Sequence, residues 1–181
     1  MSLQPGTHTF GPENGTLAVT TGRTGAAAKA GHDLLIHVTA WQATLELGED
    51  PAQTTIVLAA EAASLRVREG TGGIQALGDD DRAEIERAIH DDVLHGQGIA
   101  FHSTAVQPAN DGSRLNVRGD LMLAGTARPI AFELEVGADG RVSGGTVVKQ
   151  TDWGITPYST LFGALKVADE VEIAIDARLP A

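Results

Sequence analysis

Six histidines, His8, His32, His37, His90, His95 and His102, are the residues of this 181-residue chain best suited to hold a metal or to move a proton. A zinc-type site would need three or four such side chains converging at about 2 Å from one ion. Their spacing supplies no compact motif, since there is no His-Glu-x-x-His and no histidine pair four apart on one helical face. His32, His37 and His102 are the candidates for a site, on condition that separate strands bring them together. His32-Asp33 also has a plainer use, in which the imidazole is tied to the backbone of a neighbouring strand.

Other reaction chemistries find less. There is no cysteine, which removes thiolate ligands, thiol nucleophiles and disulfides together. No serine sits in a Gly-x-Ser-x-Gly turn. Asp79-Asp80-Asp81 lacks the glycine and glutamate of a calcium loop and reads as a helix start, where carboxylates favour the positive end of the dipole. Gly144-Gly145 is followed by neither a helix start nor a lysine, so close backbone approach within a strand explains it better than phosphate binding. No catalytic residue, metal ligand or cofactor is assigned.

The elements around these residues are mostly strands. Residues 115–136 form the organising hairpin. Leu115, Val117, Gly119, Leu121 and Leu123 fall at alternate positions on one arm, and Ile130, Phe132, Leu134 and Val136 on the other. Period two turns alternate side chains to opposite faces, which gives an antiparallel sheet with one dry face. Ala124-Gly125-Thr126 is the expected turn. Further alternating runs fall at residues 7–10, 15–21, 34–47 (with a change of phase near Trp41), 54–67, 99–108, 141–151 and 165–179. In the last run only Asp169 interrupts the apolar face. Residues 22–33 suggest a short helical turn or flap.

At residues 79–94 the period changes to that of a helix, with Ile85, Ala88, Ile89 and Val93 in one stripe and Glu84, Glu86, Arg87, His90 and Asp91 on the wet side. Such a helix belongs on the outside of the sheet or across an opening. With no repeat and no composition break, residues 1–181 read as a single all-β domain. Its expected form is an antiparallel barrel of about eight strands with one inserted helix, since several strands reach roughly 33 Å.

Composition limits the partners. Lys and Arg number 13 against 24 Asp and Glu, a formal net charge of -11, which argues against nucleic acid and against anionic membrane surfaces. No run approaches the roughly 18 apolar residues of a membrane span, so stable insertion is not expected. A homodimer is left open. No secretory signal is visible at the N-terminus, which makes the cytoplasm the expected location. Trp153 to Tyr158 (WGITPY) concentrates two of the three Trp and Tyr side chains, either as a plug closing one barrel end or as a lid against a ligand. The dry strand faces carry the same ambiguity between a packed core and a lined cavity.

Five stretches in order resemble the YceI family of lipocalin-like barrels that bind polyisoprenoids and related long-chain lipids. They are Gly-His-Asp-Leu from Gly31 with Trp41 following, IAFHS from Ile99, GDLMLAGTARPI from Gly119, TDWGI from Thr151 and VADEVEI from Val167. The chain departs from the family at Gln150, where an arginine is common, and at Trp153, where phenylalanine is commoner. The acidic helix occupies a region where the family usually has an Arg-Asp and a His-Leu pair. The resemblance implies a lipocalin-like fold whose interior binds, sequesters or carries a long-chain lipid, polyisoprenoid or quinone tail without chemistry. It assigns the lining to Leu34, Ile36, Phe101, Leu121, Leu123 and Phe132, and to Leu134, Trp153, Tyr158, Ile173 and Ile175. A metal-dependent enzyme on the same barrel and a packed interaction module are the alternatives. Family members are often exported.

Overall fold

The structure, a computed structural model, describes residues 4–179. The alternating runs become twelve strands of one antiparallel sheet, beginning with β1 Gly6–Phe10, β2 Gly15–Thr24, β3 His32–Val38, β4 Trp41–Leu47, β5 Thr55–Ala60 and β6 Leu65–Gly72. After the helix α1, Asp79–Ala88, which continues through a wider turn to Val93, come β7 Ile99–Pro108, β8 Arg114–Leu123, β9 Thr126–Val136, β10 Arg141–Lys149, β11 Ser159–Thr160 and β12 Leu165–Arg178. Alternation counts about eight strands, and the structure corrects this to twelve. The runs 34–47 and 54–67 each break in two, at Thr39-Ala40 and at Glu61 with the short turn Ala62–Ser64, while β11 is too short to leave a pattern.

Those two breaks are what curl the sheet. β3 pairs with β2 and β6, whereas β4, two residues further on, pairs with β1 and β5. Hydrogen bonding carries round the bend, because Thr39 N–H donates to Ser64 O (2.9 Å) and Glu61 N–H donates to Ala40 O (3.0 Å). The strand order β1-β4-β5-β7-β8-β9-β10-β12-β2-β3-β6 therefore returns on itself through the continuous chain and encloses an interior. A bend of this kind shows in sequence only as a shift of phase, which is the signal at Trp41.

The organising hairpin folds as its alternation requires. Buried and exposed residues alternate without exception along β8, and β9 pairs with it over ten positions from Arg114↔Glu135 to Leu123↔Thr126. The turn is tighter than expected. Ala124 (φ 47°) and Gly125 (φ 76°) make it alone, and Thr126 already belongs to β9. Positive φ at both central residues matches the right-handed twist of the flanking strands. Along β12 the register shifts between Val167 and Val171, so Asp169 leaves the apolar face instead of interrupting it. There its carboxylate accepts from the backbone N–H (2.9 Å) and hydroxyl (2.6 Å) of Thr151.

α1 has a structural task that its amphipathic pattern does not show. β6 pairs with β3 on one side and with no strand on the other among the described residues. The helix satisfies that edge with side chains: Glu86 Oε1 accepts from Val67 N–H (2.9 Å), and Arg82 Nη1 donates to Val67 O (3.1 Å) and Arg68 O (2.7 Å). An exposed sheet edge is costly to leave bare, and here a helix stands where a strand would. Glu86, expected on the wet face, therefore faces the sheet. The N-terminus is capped by Asp81 Oδ2, which accepts from Gly78 N–H (2.9 Å). Among the described residues no helix is long and apolar enough to cross a membrane.

Candidate ligand cavity

The inward faces do not fill the barrel. They leave a cavity of about 820 Å³, within the usual range of roughly 300–1,000 Å³ for small-molecule sites. Ten of the eleven side chains assigned to the lining are found there. Leu34 and Ile36 come from β3, Phe101 from β7, Leu121 and Leu123 from β8, and Phe132 and Leu134 from β9. Tyr158 precedes β11, and Ile173 and Ile175 stand on β12. The Phe101 and Phe132 rings meet at 5.4 Å between centroids, tilted by 59°, a favourable edge-to-face geometry.

Trp153 is the exception, and its placement corrects the expectation. The indole is buried outside the cavity lining, and its Nε1–H donates to Leu121 O at 2.8 Å. A buried indole N–H needs an acceptor, and the one it finds pins the turn after β10 against β8. Ile155, two residues on, is buried and does line the cavity.

Other lining residues were not assigned from sequence. Leu17, Val19 and Thr21 on β2 contribute, although residues 15–21 show the alternation that could have placed them. The apolar stripe of the helix, Ile85, Ala88, Ile89 and Val93, also faces the cavity, so the helix forms part of the wall. Gln150 is buried and lines the cavity, its amide donating to Ala168 O (3.0 Å) at the β12 irregularity. Gly144 and Gly145 line it too. A Cβ on Gly144 would collide with Glu133 O and stand 2.9 Å from Leu134 Cδ2, so the close backbone approach expected of this pair is present.

Charged side chains reach the lining on β2, α1 and β12, as Arg23, Asp81, Glu84 and Lys166. Arg23 donates to Gly31 O and lies 3.7 Å from Asp33. His32 joins this rim, with Nε2 hydrogen-bonded to Gln75 O (2.7 Å). That is the backbone tie read for His32, made to a loop and not to a strand. His37 faces outward from the same strand and His102 outward from β7, so the three histidines do not converge. Among the described residues no three His, Asp or Glu side chains come together to hold a metal ion.

Comparison with known proteins agrees with this fold. The family model described as YceI-like domain matches residues 16–179. No curated protein matches the chain. Among solved structures, BcnA of Burkholderia cenocepacia superposes with a TM-score of 0.64 at 19% identity, covering 90% of this chain and 94% of that one. The polyisoprenoid binding domain from Saccharophagus degradans, implicated in plant cell wall breakdown, gives 0.58 at 9% identity, covering 98% and 100%. The Campylobacter jejuni YCEI protein gives 0.56 at 16% identity, covering 81% and 84%.

Proposed function

Since this chain belongs to the family of YceI-like domains, we propose that it binds the apolar chain of a long lipid, a polyisoprenoid or a quinone tail, inside its barrel, as a carrier or store and without chemistry. One observation carries the reading: a cavity of about 820 Å³ whose wall is built mainly from Leu, Ile, Val, Ala and Phe, with its charged side chains confined to β2, α1 and β12. Each methylene moved there from water contributes about 0.8 kcal/mol, so a chain of many carbons would be held by burial alone. The aliphatic wall sets few directional demands, which suits a flexible chain better than a flat ring system. A polar head group would sit toward Arg23, His32 and Lys166, where donors enter the lining.

The test is to extract the purified protein with organic solvent, identify any lipid by mass spectrometry, and weigh the intact complex under native conditions. A stoichiometric long-chain species is expected, or saturable uptake of added farnesol and long fatty acids by an empty barrel. Failure of both would overturn the reading.

A further inference from the structure

We propose that the seam between β9 and β10 is a lateral port through which the apolar chain enters and leaves the cavity, a reading that rests on the function proposed above. β9 and β10 are neighbours of eleven and nine residues, yet they pair over only four positions, Val142↔Val136 to Gly145↔Glu133. Each keeps its other partner throughout that region. β8 pairs with β9 as far as Thr126, and β12 pairs with β10 as far as Lys149. Beyond Gly145 the two strands therefore separate without either leaving the sheet.

A second pocket of about 450 Å³ opens here, lined by Ile130, Val148 and Trp153 together with Val147, Lys149 and Glu170. Consecutive residues on a strand point to opposite faces. Val148 is 4% exposed and Val147 58% exposed, so this pocket touches both the inner and the outer face of β10. Ile130 lines both this pocket and the central cavity, and so stands between them.

Opening the wall along another seam breaks more. Parting two paired strands costs backbone hydrogen bonds in a row, and lifting α1 off β6 would break the bonds of Glu86 and Arg82, which include charged groups. At the seam no strand pairing stands in the way, and Ile130, the side chain common to both spaces, can change rotamer on the timescale of side-chain motion. The seam is bounded by Arg128 Nε–H donating to Asp152 O (2.9 Å) and by the Trp153 anchor on Leu121, which fix the turn at its edge.

The absence of cysteine makes a clean test available. In an Ala131→Cys/Val147→Cys variant both thiols face solvent on either side of the seam, and a short cleavable bis-maleimide would bridge them. Stopped-flow uptake and release of cis-parinaric acid, a fluorescent polyene fatty acid, are then compared before and after bridging. Both rates should fall by about tenfold or more with affinity little changed, as for removal of a kinetic route, and cleaving the bridge should restore them. A bridge between Glu135→Cys and Ser143→Cys, where the strands are already paired, should leave the rates alone. As a second probe, Ile130→Ala should speed both rates and Ile130→Trp should slow them. Rates indifferent to the seam bridge and to Ile130 would overturn the port while leaving the cavity's function intact. No binding by the unmodified chain would overturn both.

Discussion

The indole Nε1–H of Trp153 donates to the backbone carbonyl of Leu121 across 2.8 Å, linking residues 32 apart in sequence. That bond fastens the turn after β10 to the inner strand β8, beside the place where β9 and β10 separate. Trp153→Phe keeps most of the packing and removes the donor. It should cost about 1–3 kcal/mol, the penalty for leaving a buried acceptor unpaired, and Trp153→Ala about 3–5 kcal/mol because a cavity is added. Urea denaturation of the two variants checks the ordering; equal losses would remove the hydrogen bond from the account.

Phe132 is half-buried on the cavity wall and packs against Phe101. Phe132→Asp places a carboxylate where an apolar chain would lie, and an unpaired charge in such a setting is strongly disfavoured. Uptake of farnesol or parinaric acid should be lost by a variant that keeps its far-ultraviolet circular dichroism. Leu134→Asp should abolish uptake as well, with a larger loss of stability because Leu134 is buried. Normal uptake by folded Phe132→Asp would count against the cavity as the binding site.

Gly144 faces backbone across the sheet with no room for a side chain. Gly144→Ala should destabilise by about 1–3 kcal/mol, the usual cost of overpacking, and should loosen the short β9–β10 ladder first. Hydrogen exchange at Glu133–Val136 is the readout, and protection unchanged from the native chain would show that the strands can shift at no cost.

The Asp169 carboxyl is held below the usual carboxylate range by the hydroxyl of Thr151 first and by the Thr151 backbone N–H second. A lowered folded value means that the group's stabilisation is fully present above the ordinary Asp value of about 3.9 and is lost as pH falls through the folded value. Asp169→Asn lacks this contribution. The gap in unfolding free energy between native chain and variant should therefore be constant from about pH 8 to pH 5 and shrink toward zero in stronger acid. A gap independent of pH would assign the effect to packing.

Glu86→Ala removes the acceptor for Val67 N–H at the free edge of β6. A hydrogen bond to a charged group contributes about 1.5–3 kcal/mol, and its loss here should appear as faster exchange of the Val67 amide and reduced stability. Arg82→Ala should act on the same edge, so the double variant should lose less than the two single losses added together. Strict additivity would mean that the two side chains do not share one task.

Alternation made the β8–β9 hairpin and the apolar face of β12 legible, because a half-buried strand repeats every two residues whatever it pairs with. The inward positions Leu121, Leu123, Phe132, Leu134, Ile173 and Ile175 were therefore readable. The helix was readable from its stripe at Ile85, Ala88, Ile89 and Val93. The number of strands was not, since the breaks at Thr39-Ala40 and Ala62–Ser64 disturb pairing without ending the apolar run.

The sequence by itself determined which residues turn inward, since that follows from local periodicity and the preference of apolar side chains for each other's company. Tertiary structure alone decided whether those residues met or left a space, since an apolar face looks the same in either case. It also decided that Trp153 reaches Leu121, that Glu86 serves β6, and that β9 and β10 part beyond Gly145. Each of these joins positions distant in the chain, and neither residue type nor local spacing encodes the partner.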